Sequence, residues 1–371
     1  MDRRALLLSV GYGQGHHAAA RALAERLAEL GWQTRTADVC ELAHPRLFRL
    51  TQRFYHFCVR RAPWLWGITY AQTDTADWSR QVTRPIIRDC TRQLRDLLQS
   101  YRPQIVFCTY PLFAYMLDYL AEREGMRVPY ALVVTDAIEI SRPWMLSKAP
   151  LVCVPDEYSA HDAVERYALP QHLVYATGFP VRRDFARCGG GQDAPDESNL
   201  HILYGAFCSI RRCRNEIGAL LRRFPRCRLT VLAGERLRRL TAVLNQAGIT
   251  AEASGRLVLM DGTKRMHELF AQAHLYVGKA GAATVFEAYA AELPVIVNYS
   301  LPGQEQGNLE LLRRDACGLY AEGPSDLLRA VEHLLENRAL NWRRIRARMR
   351  GLRRAEGAPA IVDLALKRFV S

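Results

Sequence analysis

The chain has no CxxC pair and no paired histidine ligands, and its ten cysteines lie scattered between Cys40 and Cys317. That scatter argues against a zinc site and against a disulfide framework. No run of about 18 apolar residues occurs, and a membrane-spanning helix is therefore not expected. The first apolar strand begins at Ala5 with neither a long apolar run nor a small-residue cleavage site before it. A cytoplasmic, reducing location is the expectation. Acid is the scarcer charge: 38 Asp and Glu stand against 51 Lys and Arg, a formal balance of +13 carried mostly by arginine. Such an excess suits an anionic partner, whether nucleic acid, phospholipid headgroups or a nucleotide. Charge alone does not choose among them.

What is present is repeated βα winding. A chain of 371 residues, 49% apolar, exceeds one ordinary core, and two domains of roughly 150 to 200 residues are expected. "RALLLSV" is a continuous apolar strand of the kind buried on both faces of a parallel sheet, and "HHAAARALAERLAELG" is a helix closed at Gly31. Further strands are expected near 33–39, 104–109, 129–134, 151–154 and 173–177. The glycine-, acid- and proline-rich "ARCGGGQDAPDES" reads as a linker. After it the pattern restarts with "NLHILYGA", "CRLTVLAG" and "RLVLM". The expected fold class is therefore α/β, with two Rossmann-like doubly wound domains facing across a cleft. The boundaries expected are 1–185, a linker at 186–198, 199–350, and a C-terminal helix at 351–371 whose return to the first domain stays open.

Two blocks carry chemistry. In "SVGYGQGHHAAARAL" the glycines 11, 13 and 15 separate the first strand from the first helix. Missing side chains there allow a tight turn and close approach of a ligand to backbone amides. His16 begins the helix and could accept a proton near neutral pH, or it could merely cap the helix. In "LYVGKAGAATVFEAYAAELPVIV" a strand runs into Lys279 and Gly281, and a helix starts near Ala282 or Ala283. Its small residues expose unpaired amides suited to a diphosphate. Glu287, one turn further on, could accept hydrogen bonds from ribose hydroxyls. The loop "NYSLPGQEQGNLELL" has the amides and carboxylates needed to read a sugar.

"GKAGAATVFEAYAAELPVIV" with "PGQEQGN" resembles the donor-binding signature of the diacylglycerol glycosyltransferases, the monogalactosyldiacylglycerol synthases and processive diacylglycerol glucosyltransferases. These are relatives of the N-acetylglucosaminyltransferase that makes lipid II. "GYGQGHHAAARAL", "VVTD" and "TGFPVRRDF" resemble the family's glycine loop, acceptor-side strand end and segment before the linker. The resemblance implies a GT-B fold and an inverting transfer of hexose from a UDP-sugar to a lipid hydroxyl, without a metal. It implies that the turn Gly281, Ala282 to Thr284 faces the diphosphate, that Glu287 holds ribose, and that Gln304, Glu305 and Asn308 contact the sugar. Gly13 and Gly15 belong to the glycine loop, and Gly205 is the one glycine left where the family has a glycine-rich loop opening the second domain. His16 and Asp136 are the candidate bases, with Asp136 able to orient His16, replace it, or simply begin a turn. Ser141 stands where the family has a histidine, and Tyr110-Pro111 where it has histidine-proline.

The segment 45–70 mixes arginines with Phe48, Phe54, Tyr55, Phe57, Trp64 and Trp66. It suits either an anionic bilayer or packing onto its own domain. A cluster of arginines between Arg343 and Arg354 reads as a solvated helix face or a second membrane contact. Together these imply a protein peripheral to the inner face of the plasma membrane, with no nucleic-acid partner. The alternatives are a polyprenyl-linked or natural-product acceptor, a UDP-sugar epimerase, or a basic nucleic-acid-binding protein.

Overall fold

The structure, a computed structural model, describes residues 3–13, 15–75, 78–189, 191–250, 255–301, 303 and 305–370. The chain divides into two compact units. The first is Met1–Arg182 with Pro302–Gly307 and Arg354–Ser371; the second is Arg183–Leu301 with Asn308–Arg353.

The first unit is built on β1 (Arg4–Leu8), β2 (Gln33–Ala37), β3 (Ile105–Cys108), β4 (Tyr130–Val133), β5 (Val152–Val154) and β6 (Val174–Ala176). They form one parallel sheet in the order β2-β1-β3-β4-β5-β6. A parallel sheet is covered on both faces, which is why β1 is apolar without alternation and Ala5 to Leu8 are wholly buried. One face packs against Ala20, Leu23 and Leu27 of the helix Gly15–Glu29. The same layer holds Ile361, Val362 and Ala365 of the last helix, Gly357–Phe369. That helix is therefore part of the first unit, tied further by the Phe179 amide donating to the Arg354 carbonyl at 2.8 Å. The other face packs against Leu94 and Leu97 of the helix Pro85–Tyr101 and Phe113 to Leu117 of the helix Pro111–Glu124.

The second unit contains β7 (His201–Gly205), β8 (Arg228–Leu232), β9 (Leu257–Met260), β10 (Leu275–Lys279), β11 (Val295–Tyr299) and β12 (Gly318–Tyr320). These also form one parallel sheet, in the order β12-β11-β10-β7-β8-β9. Among the described residues no helix is long and apolar enough to cross a membrane.

The stretch 186–198, read as a linker, falls within the second unit; Pro195 is the only buried residue among its described residues, and Gln192 Nε2 donates to the carbonyls of Phe270 at 3.0 Å and Ala271 at 2.8 Å. The arginine cluster is not a uniformly solvated face. Arg346 is buried with its guanidinium 4.3 Å over the Trp342 ring, Arg350 pairs with Glu292, and Arg354 is buried against Glu157.

A buried histidine pair makes the second unit sensitive to acid. His274 Nδ1 accepts from the His201 amide at 2.9 Å, and His201 binds the Gln272 carbonyl at 2.8 Å and Thr230 Oγ1 at 2.9 Å. Burial, with His201 and Arg346 nearby, lowers the His274 pKa to about 4. A histidine whose folded pKa is depressed stabilises the fold fully above its unfolded value and loses that contribution as pH falls from about 6.5 toward 4. Denaturant unfolding is expected to lose stability between pH 7 and pH 4, with His274, His201 and His16 all contributing. His274→Asn, which keeps an acceptor for the His201 amide, should make that loss smaller. An unchanged profile in that variant would assign the loss elsewhere.

Candidate active site

Each sheet has a point where strand order reverses, and open parallel sheets take their ligands beyond the carboxyl ends of the strands there. In the first unit the reversal lies between β1 and β3, in the second between β7 and β10. The two sequence blocks singled out above fall on these points.

In the first unit the chain leaves β1 at Leu8 and turns through Gly13 at φ +84° into the helix that starts at Gly15. Asp38, just beyond β2, accepts from the Gly11 amide at 3.3 Å while capping the helix Val39–Ala43. His16 is buried, with 8% of its surface exposed. Its Nδ1 lies 2.6 Å from the Thr109 carbonyl, at the end of β3, and 3.0 Å from Thr135 Oγ1, at the end of β4. A carbonyl only accepts, so Nδ1 carries the proton and Nε2 keeps its lone pair. Burial lowers the His16 pKa to about 4, the Thr109 carbonyl opposing that shift. The imidazole is thus a neutral base throughout the physiological range, held below the ordinary value expected for it from sequence.

Aromatic rings enclose it. Tyr110 lies edge-on at 5.3 Å and Trp144 at 6.2 Å between ring centroids. Trp144 Nε1 in turn donates to Asp136 Oδ2 at 2.8 Å. Burial raises the Asp136 pKa to about 6, and the indole bond opposes this. Asp136 thus stands one ring away from His16, with Trp144 against both. Thr109, Thr135 and Trp144 were not singled out as site residues by the sequence, and Tyr110 was noted only as standing where the family has histidine. Thr109, Tyr110 and Thr135 share a signal, position just past a strand end, whereas Trp144 lies in the short helix Arg142–Met145 and has none.

The loop expected to read the sugar divides between the units at Gly307 and Asn308. Glu305 is buried in the first unit, and Gln304 lies outside the described residues. A methyl on Gly307 would overlap the Ala137 carbonyl oxygen and lie 2.8 Å from the Glu139 amide nitrogen. The chain at 305–307 is therefore pressed onto the loop that follows Asp136.

In the second unit Lys279 ends β10, Gly281 is the N-cap in extended conformation, and the helix Ala282–Ala290 begins with Ala282, Ala283 and Thr284. Among these, Ala282, Thr284 and Glu287 are partly exposed. Asn308 Nδ2 donates to the Ala280 carbonyl at 3.0 Å, which ties the sugar-reading segment to this turn. Its Oδ1 is buried without a partner among the described residues, an acceptor that a ligand hydroxyl would satisfy. Gly205 closes β7 on the neighbouring strand. Beneath the loop after it, Glu216 accepts from Tyr204 Oη, Arg212 Nε and Asn298 Nδ2, each at 2.7 Å. Arg212 is therefore committed to the fold.

The chain matches two family profiles, the monogalactosyldiacylglycerol (MGDG) synthase over residues 16–181 and the glycosyltransferase family 28 C-terminal domain over residues 238–346. It is 23% identical over 375 residues to the processive diacylglycerol beta-glucosyltransferase of Bacillus subtilis (strain 168), covering 99% of this chain and 95% of the relative. Among solved structures, Acinetobacter baumannii MurG superposes with a TM-score of 0.60 at 16% identity, covering 98% of this chain and 99% of that one. The UDP-GlcNAc 2-epimerase of Neisseria meningitidis, solved bound to UDP-GlcNAc, gives 0.62 at 12% identity over 98% and 100%. The paired parallel sheets are those of the GT-B fold.

Proposed function

We propose that this chain, which matches the monogalactosyldiacylglycerol synthase profile and the glycosyltransferase family 28 C-terminal domain profile, is a glycosyltransferase that moves a hexose from a UDP-sugar to a lipid hydroxyl, with diacylglycerol or a related glycolipid as acceptor. The observation that carries the reading is His16: a buried imidazole whose Nδ1 is pinned to the Thr109 carbonyl, leaving Nε2 as a base at the first sheet's reversal point. The name of the Bacillus subtilis relative supports the acceptor, and the ligand of the Neisseria epimerase supports a UDP-sugar donor.

In this mechanism Nε2 of His16 takes the proton of the acceptor hydroxyl as its oxygen attacks the anomeric carbon. The bond from that carbon to the UDP oxygen breaks in the same displacement, which inverts the centre. The departing diphosphate is met by the Lys279 ammonium and the free amides at Ala282 to Thr284. Glu287 accepts from ribose hydroxyls, and Gln304, Glu305 and Asn308 read the sugar. Gly13 and Gly15 let the backbone come close to the ligands, whereas the Phe207 ring covers Gly205. No metal has a part in these steps.

The acceptor resides in a bilayer, and the helix Pro45–Arg61 has two faces suited to reaching it. Phe48 and Tyr55 are buried against Tyr12 of the glycine loop, at 5.1 and 6.1 Å between ring centroids. Leu50, Phe54 and Phe57, with Trp64 and Ile68 of the helix Pro63–Thr75, are exposed beside Arg46, Arg49 and Arg53. The buried face fits packing onto its own domain, and the exposed face supports a bilayer contact. Exposed aromatics with arginines favour an anionic surface, and we place the protein peripherally on the inner face of the plasma membrane.

The test offers radiolabelled UDP-glucose, UDP-galactose and UDP-GlcNAc with diacylglycerol in anionic or neutral vesicles, with and without EDTA. One labelled glycolipid is expected, faster on anionic vesicles and undiminished by EDTA. Label incorporated only into polyprenyl-linked products, or a donor isomerised with no acceptor, would replace this reading.

A further inference from the structure

The loop after β7 stands at the second sheet's reversal point, beside the turn that follows β10. It reads Ala206-Phe207-Cys208-Ser209, and its backbone is held from three sides. Arg236 Nη1 reaches the carbonyl oxygens of Ala206, Phe207 and Cys208 at 3.3, 3.1 and 2.6 Å. The Phe207 amide donates back to the Gly205 carbonyl at 2.9 Å, and Cys208 Sγ donates to the Asn298 carbonyl at 3.3 Å. Held this way, the loop lays the Phe207 ring over Gly205: a methyl there would come 2.6 Å from ring carbon Cε2 and 2.8 Å from Tyr276 Oη. Glycine at 205 thus leaves the ring room to lie where it does.

The ring keeps 38% of its surface exposed, and Lys279 Nζ lies 5.5 Å from its centroid. That is within the range in which an aromatic face attracts an ammonium. Lys279 is also the residue that leads into the helix start at Ala282. A loop of several glycines would bring its own amides up to a ligand. This loop places an aromatic face beneath a cation instead.

We propose that Phe207 is a positioning residue for the donor: its ring seats the Lys279 ammonium beside the amides of the helix Ala282–Ala290, where it meets the diphosphate. The inference rests on the donor site described under the proposed function. Because the ring acts through a charge, its removal weakens binding of a diphosphate and spares a neutral nucleoside. A change in packing alone would weaken both.

Titration calorimetry with UDP, and with uridine by displacement, separates these outcomes. Phe207→Leu is expected to bind UDP roughly 3- to 30-fold more weakly with uridine affinity unchanged. Phe207→Tyr, which restores the aromatic face, should return UDP affinity to within about twofold of the parent. Lys279→Met should cost less in the Phe207→Leu background than in the parent. Phe207→Met serves the same purpose if leucine disturbs folding, which thermal melting would show. Full UDP affinity in Phe207→Leu, or equal losses for UDP and uridine that tyrosine does not repair, would overturn the role of the ring while leaving the donor site in place. A parent protein that binds no UDP would overturn the donor site, and this inference with it.

Discussion

His16→Ala is expected to turn over roughly 10²- to 10⁴-fold more slowly than the parent while binding UDP with nearly unchanged affinity. The first part follows from the loss of an imidazole whose protonation pattern is fixed by a strand-end carbonyl, Thr109, 93 positions away in sequence. The second follows from where the residues lie: His16 belongs to the first unit, whereas Lys279, Gly281 and Glu287 belong to the second. Single-turnover rates with saturating UDP-sugar, beside UDP titrations, make the comparison. Collapse of UDP affinity with persistent turnover of bound donor would remove His16 from the role of base.

The pH profile distinguishes the two candidate bases. His16, lowered to about 4, stays neutral as pH falls through 6, whereas Asp136, raised to about 6, takes up its proton there. With His16 as the base, the rate is expected to hold through pH 6 and to fall near pH 4. A limb near pH 6 that Asp136→Asn removes would give the proton to Asp136 instead.

The winding of the chain was legible because its signals are local. β1 and β10 are continuous apolar runs that end at glycine or small residues, and the helices after them begin within a residue or two of the expected place. The surroundings of the site were not legible, because they come from distant segments. Thr135 reaches His16 across 119 positions, and Arg236 reaches the loop at Ala206–Cys208 across about 30. Composition also misled where chemistry was satisfied internally. The arginines at 346 and 354 look like a charged face in sequence, yet an indole and a carboxylate hold them in buried positions. The aromatic segment 45–70 was ambiguous for a sound reason, since one helix carries both a buried and an exposed set of rings.

Gly307→Ala tests whether the sugar-reading loop must sit where it does. A methyl there overlaps a backbone carbonyl oxygen, that of Ala137, and a carbonyl in a packed loop cannot swing aside as the end of a flexible side chain would. Either the 305–307 segment lifts or the loop after Asp136 gives way, and each costs about 1 to 3 kcal/mol as overpacking does. The consequence for chemistry is larger than that for stability. Glu305 is buried beside this point, Asn308 follows it with an unpartnered oxygen, and Asp136 precedes the loop that would be pushed. A displacement of about 1 Å at a reacting centre can cost on the order of 10²-fold in rate. The variant is therefore expected to melt a few degrees below the parent and to lose about 100-fold in turnover. Near-parental turnover would mean that the close approach of Gly307 to Ala137 has no part in catalysis, and that residues 305–307 read the sugar, if at all, from another position.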